Sequence, residues 1–198
     1  MSVNTYLTPE EKTRLEQAMV GIAGAGGLGS NVAAHLVRAG VRRLVIADFD
    51  VVSPSNLNRQ FFFRDQVGRR KVEALAENLR RIEPGLELTL HDVRLDAANL
   101  PPLFGACDVV VEAFDNVESK SALLSALRDR PVVSASGLAG WGRSNEMKVR
   151  RLGANLVLVG DCASDIRAGL APQSARVGIA AAMQANAVLA LLLGHSDL

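Results

Sequence analysis

A doubly wound α/β fold, built on a mostly parallel sheet, is what three stretches of this sequence predict. Val20-Gly21-Ile22-Ala23 is a short apolar run that enters Gly24-Ala25-Gly26-Gly27-Leu28-Gly29 and then an apolar-periodic segment, the order of strand, glycine turn and helix. Leu44-Val45-Ile46-Ala47 is a second apolar run, ending in Asp48-Phe49-Asp50. Val109-Val110-Val111 is continuous and apolar, as in a strand covered by helices on both faces. Such runs alternating with helical patterns define a Rossmann-like α/β sheet, whose ligands meet the carboxyl ends of the strands.

The remaining elements follow in order. Thr8-Pro9-Glu10-Glu11 has the form of a capping box with proline in the first turn, which predicts a helix over about 9–18. Strand one is expected over about 19–23, a helix from Gly27 to Ala39, and strand two over 43–48. Pro54-Ser55-Asn56 starts an irregular or one-turn helical segment, and Phe61-Phe62-Phe63 is expected to bury itself and hold Arg59 and Gln60 in place. Asp65 to Arg81 is predicted helical, with Val67, Val72, Leu75, Leu79 and Ile82 marking its apolar side, and Pro84-Gly85 ends it. Leu86 to His91 alternates like a less buried strand, with His91 an ordinary strand-end residue. After the Val109 strand comes a helix through Leu123, Leu124 and Leu127, then a strand at Pro131 to Ala135. Glu146 to Arg151 and Asn155 to Val159 form a hairpin that extends the sheet in antiparallel fashion. Trp141, between Gly140 and Gly142, is either an anchor for a docking partner or a cover for the core. The loop 160–174 is rich in small and polar residues and is expected to move or to order on binding.

At 198 residues the chain is assigned to a single domain, 1–198. Apolar residues make up 48% and charged residues 22%, the balance of a soluble globular protein. Net charge is +1, aromatics are 4%, and no basic block extends past Arg69-Arg70-Lys71, so no nucleic-acid partner is expected. The first residues lack a charged-then-apolar leader, so the expected location is the cytoplasm. Val177 to Leu193 is apolar all round but short of a bilayer span and rich in alanine; no membrane partner is expected, and the helix is assigned to core on one side. Two cysteines, Cys107 and Cys162, exclude a four-cysteine zinc site. Cys107 is expected to be a small buried apolar residue and Cys162 a free thiol in a polar loop.

The glycine turn carries the first chemistry. Gly24 permits the tight turn off the strand, Gly26 lets backbone approach phosphate, and Gly29 lets helix and strand pack closely. The helix behind them offers unpaired N–H groups and a positive dipole end to an anion. Asp48 follows at about the 20-residue spacing at which an acid accepts hydrogen bonds from ribose hydroxyls. Alone, these features suit an NAD-type dehydrogenase as well as an ATP-binding protein. Beyond strand two, however, stand Asn56, Arg59, Gln60 and Lys71. Two fixed cations with amides beside a polyphosphate suit charge developing on phosphorus or on departing pyrophosphate, and a dehydrogenase has no use for them. Asp115, delivered by the Val109 strand, is placed as a Mg²⁺ ligand for ATP, while Asp115 or Asn116 can also cap the next helix.

Five ordered stretches together resemble the ThiF/MoeB/HesA family, relatives of ubiquitin-activating enzymes. They are Gly24-Ala25-Gly26-Gly27-Leu28-Gly29, Asp48-Phe49-Asp50, Asn56-Leu57-Asn58-Arg59-Gln60, Gly68-Arg69-Arg70-Lys71-Val72 and Phe114-Asp115-Asn116. The resemblance implies an ATP-dependent adenylyltransferase acting on the C-terminal Gly-Gly carboxylate of a small ubiquitin-like β-grasp sulfur-carrier protein. It implies nucleotide contacts from Gly24, Gly26, Gly27, Leu28, Gly29, Asp48, Asp50 and Asn58, catalytic roles for Arg59, Lys71, Asn56 and Gln60, and Mg²⁺ at Asp115. It further implies a homodimer using the last helix, and Arg14 reaching into the partner's ATP site, although a solvated helix arginine accounts for Arg14 equally. Many members hold zinc on two Cys-x-x-Cys pairs, which this chain lacks, and some carry a loop cysteine that links covalently to the carrier. Compact length and missing zinc cysteines look most like the short ThiF proteins of thiamine biosynthesis, whose carrier is ThiS. Activation of a molybdopterin-type carrier or of a tRNA or small-molecule carboxylate stays open, as do an NAD(P)-binding protein and a non-catalytic module that docks ubiquitin-like proteins.

Overall fold

The computed structural model describes residues 6–165 and 168–195. Its centre is a seven-stranded sheet of order β3-β2-β1-β4-β5-β7-β6. The strands are β1 (Met19–Ala23), β2 (Arg43–Ala47), β3 (Glu87–His91), β4 (Val109–Glu112), β5 (Val132–Ala135), β6 (Lys148–Arg151) and β7 (Leu156–Gly160). All neighbours run parallel except β6 and β7, the expected antiparallel hairpin. The helices are α1 (Pro9–Gln17), α2 (Gly27–Ala39), α3 (Lys71–Ile82), α4 (Leu100–Phe104), α5 (Val117–Ala126) and α6 (Ser174–Leu193).

Side chains alternate across the central strands and divide the core in two. Leu44, Ile46, Val109 and Val111 face α2, α3 and α6, where they join Leu36, Leu75 and Val188. Val45, Ala47 and Val110 face α4 and α5, where they meet Leu100, Phe104 and Leu123. Both faces are therefore apolar, as a continuous Val-Val-Val run requires. Thr8 closes the capping box on α1, its backbone N–H donating to Glu11 Oε2 at 2.8 Å and its hydroxyl accepting from Glu11 N at 3.3 Å.

Several elements depart from expectation. The helix predicted over Asp65 to Arg81 is broken: a 3₁₀ turn at Arg64–Gln66 is followed by a crossing segment, and α3 starts only at Lys71. Gly68 makes the break, at φ 90°, and the segment pairs with the β2 exit through Gly68 N to Val52 O at 2.8 Å and Val52 N to Arg69 O at 2.9 Å. Val67 is consequently exposed and belongs to no apolar face. Of the three phenylalanines expected to anchor, Phe62 is buried, while Phe63 is exposed and meets Phe61 edge to face. The short helix α4 was not anticipated, because Pro101-Pro102 argues against helix unless it sits in the first turn, as it does here.

The last helix is longer than predicted. Its 20 residues are long and apolar enough to cross a membrane by length and composition, yet 44% of the most apolar window is buried within the fold. It packs on α2, on α1 and on β4, β5 and β7. Within it only Ser174, Ala175, Ala182 and Asn186 are exposed, while Ile179, Met183 and the stretch from Leu189 to Leu193 are half-buried. The loop expected to move includes residues 166 and 167, which lie outside the described residues.

Candidate functional site

The site assembles where β2, β1 and β4, adjacent in the sheet, end at their carboxyl edges. The glycine turn leaves β1 and enters α2, whose N-cap Gly26 supplies no side-chain cap, so first-turn N–H groups face the crevice. Gly29 is sterically fixed: a Cβ there would stand 1.8 Å from the Gly24 carbonyl oxygen. At Gly26 the nearest atom to such a Cβ is Gln60 Nε2 at 3.8 Å, which leaves room for a ligand to approach the backbone. The side chain of Leu28 belongs to the core, so its only offering to a ligand is backbone.

Asp48 does more than face outward from the strand tip. Its Oδ2 accepts from Ala25 N at 2.6 Å and its Oδ1 from Asp50 N at 2.8 Å, so this carboxylate braces the glycine turn itself. Two lone pairs remain for ribose hydroxyls. Asp50 in turn accepts from Lys71 Nζ at 2.7 Å. The lysine is thus buried and ion-paired at the start of α3, rather than projecting freely toward a phosphate.

The segment 54–60 lies against the glycine turn. A Cβ at Gly27 would stand 3.5 Å from Arg59 Cγ, and Asn31 of α2 donates to the carbonyls of Gly27 at 2.6 Å and Arg59 at 2.9 Å. Arg59 is steadied by Asn58 Oδ1 at 2.7 Å and Ser55 O at 3.2 Å. Asn56 builds the turn: its carbonyl accepts from Arg59 N and Gln60 N, and its side chain accepts from Ser53 N at 3.1 Å. Gln60 Oε1 is buried and has no hydrogen-bond partner among the described residues. Such an atom costs about 1–3 kcal/mol if left unsatisfied, so it marks a place where a ligand or water donates.

On the β4 side, Asn116 takes the capping role by accepting from Ser119 N at 2.8 Å. Asp115 is left exposed beside it, with the Asn116 amide 3.4 Å from its Oδ1. Among the described residues no three His, Cys, Asp or Glu side chains converge on one point. A Mg²⁺ ion at Asp115 therefore needs phosphate oxygens and water to complete its shell, which is how Mg²⁺ is ordinarily held beside nucleotides.

Beneath this edge is a network that periodicity did not reveal. Glu112 is fully buried; its carboxylate accepts from Lys120 Nζ at 2.8 Å, from the Ser134 hydroxyl and from Phe114 N at 2.7 Å. Gln184 of α6 donates to the Glu112 and Val133 carbonyls at 3.2 and 3.1 Å. Together they fix the turn that carries Asp115. A glutamate closing a buried Val-Val-Val strand was the available signal, since a buried carboxylate demands a cation.

Arg14 is not brought to this site. It donates to Leu193 O at 3.1 Å and to Glu10 at 3.0 Å, at the α6 C-terminus. Leu15, its neighbour in α1, packs near Gly40, which ends α2, and a helix of 13 residues puts Gly40 about 20 Å from the glycine turn. Within one chain Arg14 cannot touch a nucleotide there. Cys107 is buried and its thiol is pushed up to about 12, first by desolvation and then by the charge of Asp108. Cys162 is exposed, at φ 59°, with Arg150 Nη1 3.4 Å from its sulfur. Trp141 is 72% exposed and so does not cover the core.

With a strand-turn-helix phosphate cradle and an arginine and an amide at its rim, the arrangement defines a nucleotide-binding α/β protein. The ThiF family profile matches residues 2–198, and the chain belongs to the ThiF family. It is 39% identical over 132 residues to adenylyltransferase and sulfurtransferase MOCS3 of Caenorhabditis briggsae, a match covering 65% of this chain and 33% of that protein. It is 39% identical over 126 residues to molybdopterin-synthase adenylyltransferase of Escherichia coli K12, covering 63% of this chain and 51% of the relative. The matches thus span between a third and a half of these two curated relatives' own length. The fold superposes on E. coli tRNA N6-threonylcarbamoyladenosine dehydratase TcdA in complex with ATP, with TM-score 0.86, 22% identity and coverage of 94% of this chain and 90% of that one. It also matches E. coli MccB with ATP at TM-score 0.73 and 21% identity, covering 94% and 59%.

Proposed function

We propose that this protein is an ATP-dependent adenylyltransferase that activates the C-terminal carboxylate of a small ubiquitin-like carrier protein ending in Gly-Gly. The observation that carries the reading is Arg59 and Gln60 held against an uncapped glycine turn, with the Gln60 carbonyl oxygen buried and unpartnered. A nicotinamide-binding protein gives those two side chains no work.

In this reading a carrier carboxylate oxygen attacks the α-phosphorus of ATP. The bond from that phosphorus to the bridging oxygen breaks, and pyrophosphate leaves with the electron pair. The carboxylate is already ionised at neutral pH, so no general base is needed. Catalysis is then positioning and charge stabilisation. First-turn N–H groups of α2 and Arg59 hold phosphate oxygens, while Lys71 meets the developing charge as it shares or leaves its contact with Asp50. Asp48 braces the turn and accepts from ribose, Asn56 shapes the Arg59 turn, Asn58 orients the guanidinium, and Gln60 hydrogen-bonds the reacting group. Asp115 would hold Mg²⁺, which would offset negative charge on the phosphates.

A ThiS-type carrier of thiamine biosynthesis is the finer assignment, supported by Cys107 and Cys162, neither of which belongs to a Cys-x-x-Cys pair. The E. coli relative named for molybdopterin synthase favours a second reading, a molybdopterin-type carrier. We further propose a homodimer in which Arg14 of one copy completes the site of the other, since within a chain it is out of reach. ATP–pyrophosphate exchange, run with each candidate carrier and with carriers lacking the terminal glycines, tests the reading. Exchange that depends on an intact Gly-Gly end is expected; exchange with neither carrier, while NAD rather than ATP raises the melting temperature, overturns it.

A further inference from the structure

Two adjacent residues of α2, Ser30 and Asn31, each hold two parts of the site at once. The Ser30 hydroxyl donates to the Gly26 carbonyl at 2.6 Å, and its oxygen accepts from Phe61 N at 3.0 Å. The Asn31 amide donates to the Gly27 carbonyl at 2.6 Å and to the Arg59 carbonyl at 2.9 Å. Each side chain thus has one bond to the phosphate cradle and one to the 59–61 segment. The bonds to that segment fall on either side of Gln60, which is gripped before and after.

The helix itself does not need these side chains. Serine and asparagine form helices less readily than alanine, and a side chain bonded four residues back adds little to the ladder. Gly26 O already accepts from Ser30 N at 3.1 Å without the hydroxyl. What the two side chains add is the tie between α2 and the segment that carries Arg59 and Gln60. Ser30 is fully buried, so its bond to Phe61 is shielded from water.

Gln60 is where that tie has a chemical consequence. Its Nε2 lies 3.8 Å from where a Cβ on Gly26 would stand, over the cradle. Its Oε1 is buried with no partner among the described residues. An unsatisfied acceptor is costly, and it keeps its aim because the backbone on both sides of it is fixed.

We infer that Ser30 and Asn31 are positioning residues, clasping the Arg59–Gln60 segment to the phosphate cradle so that guanidinium and amide are preset before the nucleotide binds. The inference rests on the adenylyltransferase reading above, in which Arg59 and Gln60 meet the phosphates and the reacting group. Ser30 and Asn31 act through them and need not touch substrate. The segment has other anchors: Phe61 O accepts from Asn78 of α3 at 2.8 Å, and Phe62 is buried. Removing one bond of the clasp should therefore loosen the segment without unfolding it.

The first test reads amide hydrogen exchange by NMR in the nucleotide-free protein. In Asn31→Ala and in Ser30→Ala the amides of Arg59, Gln60 and Phe61 should exchange about tenfold faster, while those of β1 keep their rates. The second test reads ATP–pyrophosphate exchange. Asn31→Ala should lower kcat by about tenfold to 10²-fold and move KM for ATP by less than about threefold, because misplacing Arg59 costs rate more than ground-state binding. In an Arg59→Ala background the same change should cost at most about threefold, since the group it positions is gone.

A merely structural asparagine would cost the same in both backgrounds, and that result overturns the inference. Unchanged amide exchange in both variants overturns it too, as does full kcat in a variant whose segment is loosened. Should Asn31→Ala not fold, Ser30→Ala carries the same two readouts, since it removes a single oxygen. Loosened amides in the variants, with no ATP–pyrophosphate exchange by the wild type, uphold the clasp and remove the adenylyltransferase reading instead.

Discussion

Lys71 and Asp50 are joined twice, Nζ to Oδ2 at 2.7 Å and backbone N to backbone O at 3.0 Å. The double link ties the first residue of α3 to the exit of β2, so the lysine is preset beside the glycine turn that Asp48 braces. Its side chain is 7% exposed, whereas that of Asp50 is 48% exposed. The aspartate can therefore yield to a phosphate without opening the core. Lys71→Ala is expected to cut ATP–pyrophosphate exchange by about 10²–10³, the usual cost of losing one group that meets transition-state charge. Asp50→Asn should fold normally and keep more of the activity than Lys71→Ala. Near-normal exchange by Lys71→Ala would remove the lysine from the mechanism.

Asp115 and Asn116 separate two roles that adjoin in sequence. Asn116 caps α5, so Asn116→Ala should lower stability by about 1 kcal/mol and leave the Mg²⁺ dependence of exchange unchanged. Asp115→Asn should leave stability alone and raise the Mg²⁺ concentration for half-maximal exchange by about tenfold, the lower end of what a group supporting a metal is worth. Identical Mg²⁺ titrations for wild type and Asp115→Asn would detach this residue from the metal.

The two cysteines should differ sharply toward a thiol reagent at about pH 8, since only thiolate reacts. Cys107 is buried with its thiol raised to about 12, and Cys162 is exposed beside Arg150. One fast thiol per chain is expected in the native protein, none in Cys162→Ala, and the second only on unfolding. Forming an acyl-adenylate breaks no bond to sulfur, so Cys162→Ala should keep full exchange. Loss of exchange in a well-folded Cys162→Ala protein would make the thiol a participant.

How much of this was legible in the sequence depends on the reach of each interaction. The glycine turn could be read because its constraint is local: Gly29 faces the Gly24 carbonyl five residues away, and no side chain fits. The strands were legible for a similar reason, since apolar runs buried on two faces leave little choice. Side-chain roles set by distant partners were not. Lys71 could be chosen as a cation but not as the partner of Asp50, because that pairing depends on the crossing segment that Gly68 creates. Arg176 lay unnoticed one residue before the apolar run Val177 to Leu193, and only the earlier helix start at Ser174 brings it, buried, to Asp161. Trp141 between two glycines left two readings open, and its exposure removes the one in which it covers the core.

The pair Asp161–Arg176 gives the fold a testable response to acid. Burial by itself raises the pKa of Asp161, but the backbone N–H groups of Ser164 and Ala163, with the Arg176 guanidinium, outweigh it and hold the carboxyl below the usual aspartate value. A depressed native pKa means that the unfolded chain binds the proton more readily. The stabilisation is therefore fully present above the unfolded value near 4 and is lost as pH falls through the lower native one. Melting temperatures from about pH 6 down to about pH 3 should thus fall more steeply for wild type than for Asp161→Asn. The variant leaves Arg176 buried without its counter-charge, so its melting temperature should be lower at neutral pH, with the gap closing toward acid. The double variant Asp161→Asn/Arg176→Met removes both charges and should recover part of the neutral-pH loss while keeping the shallow acid slope. Parallel curves for wild type and Asp161→Asn across the acid range would show that this carboxylate does not drive the acid response.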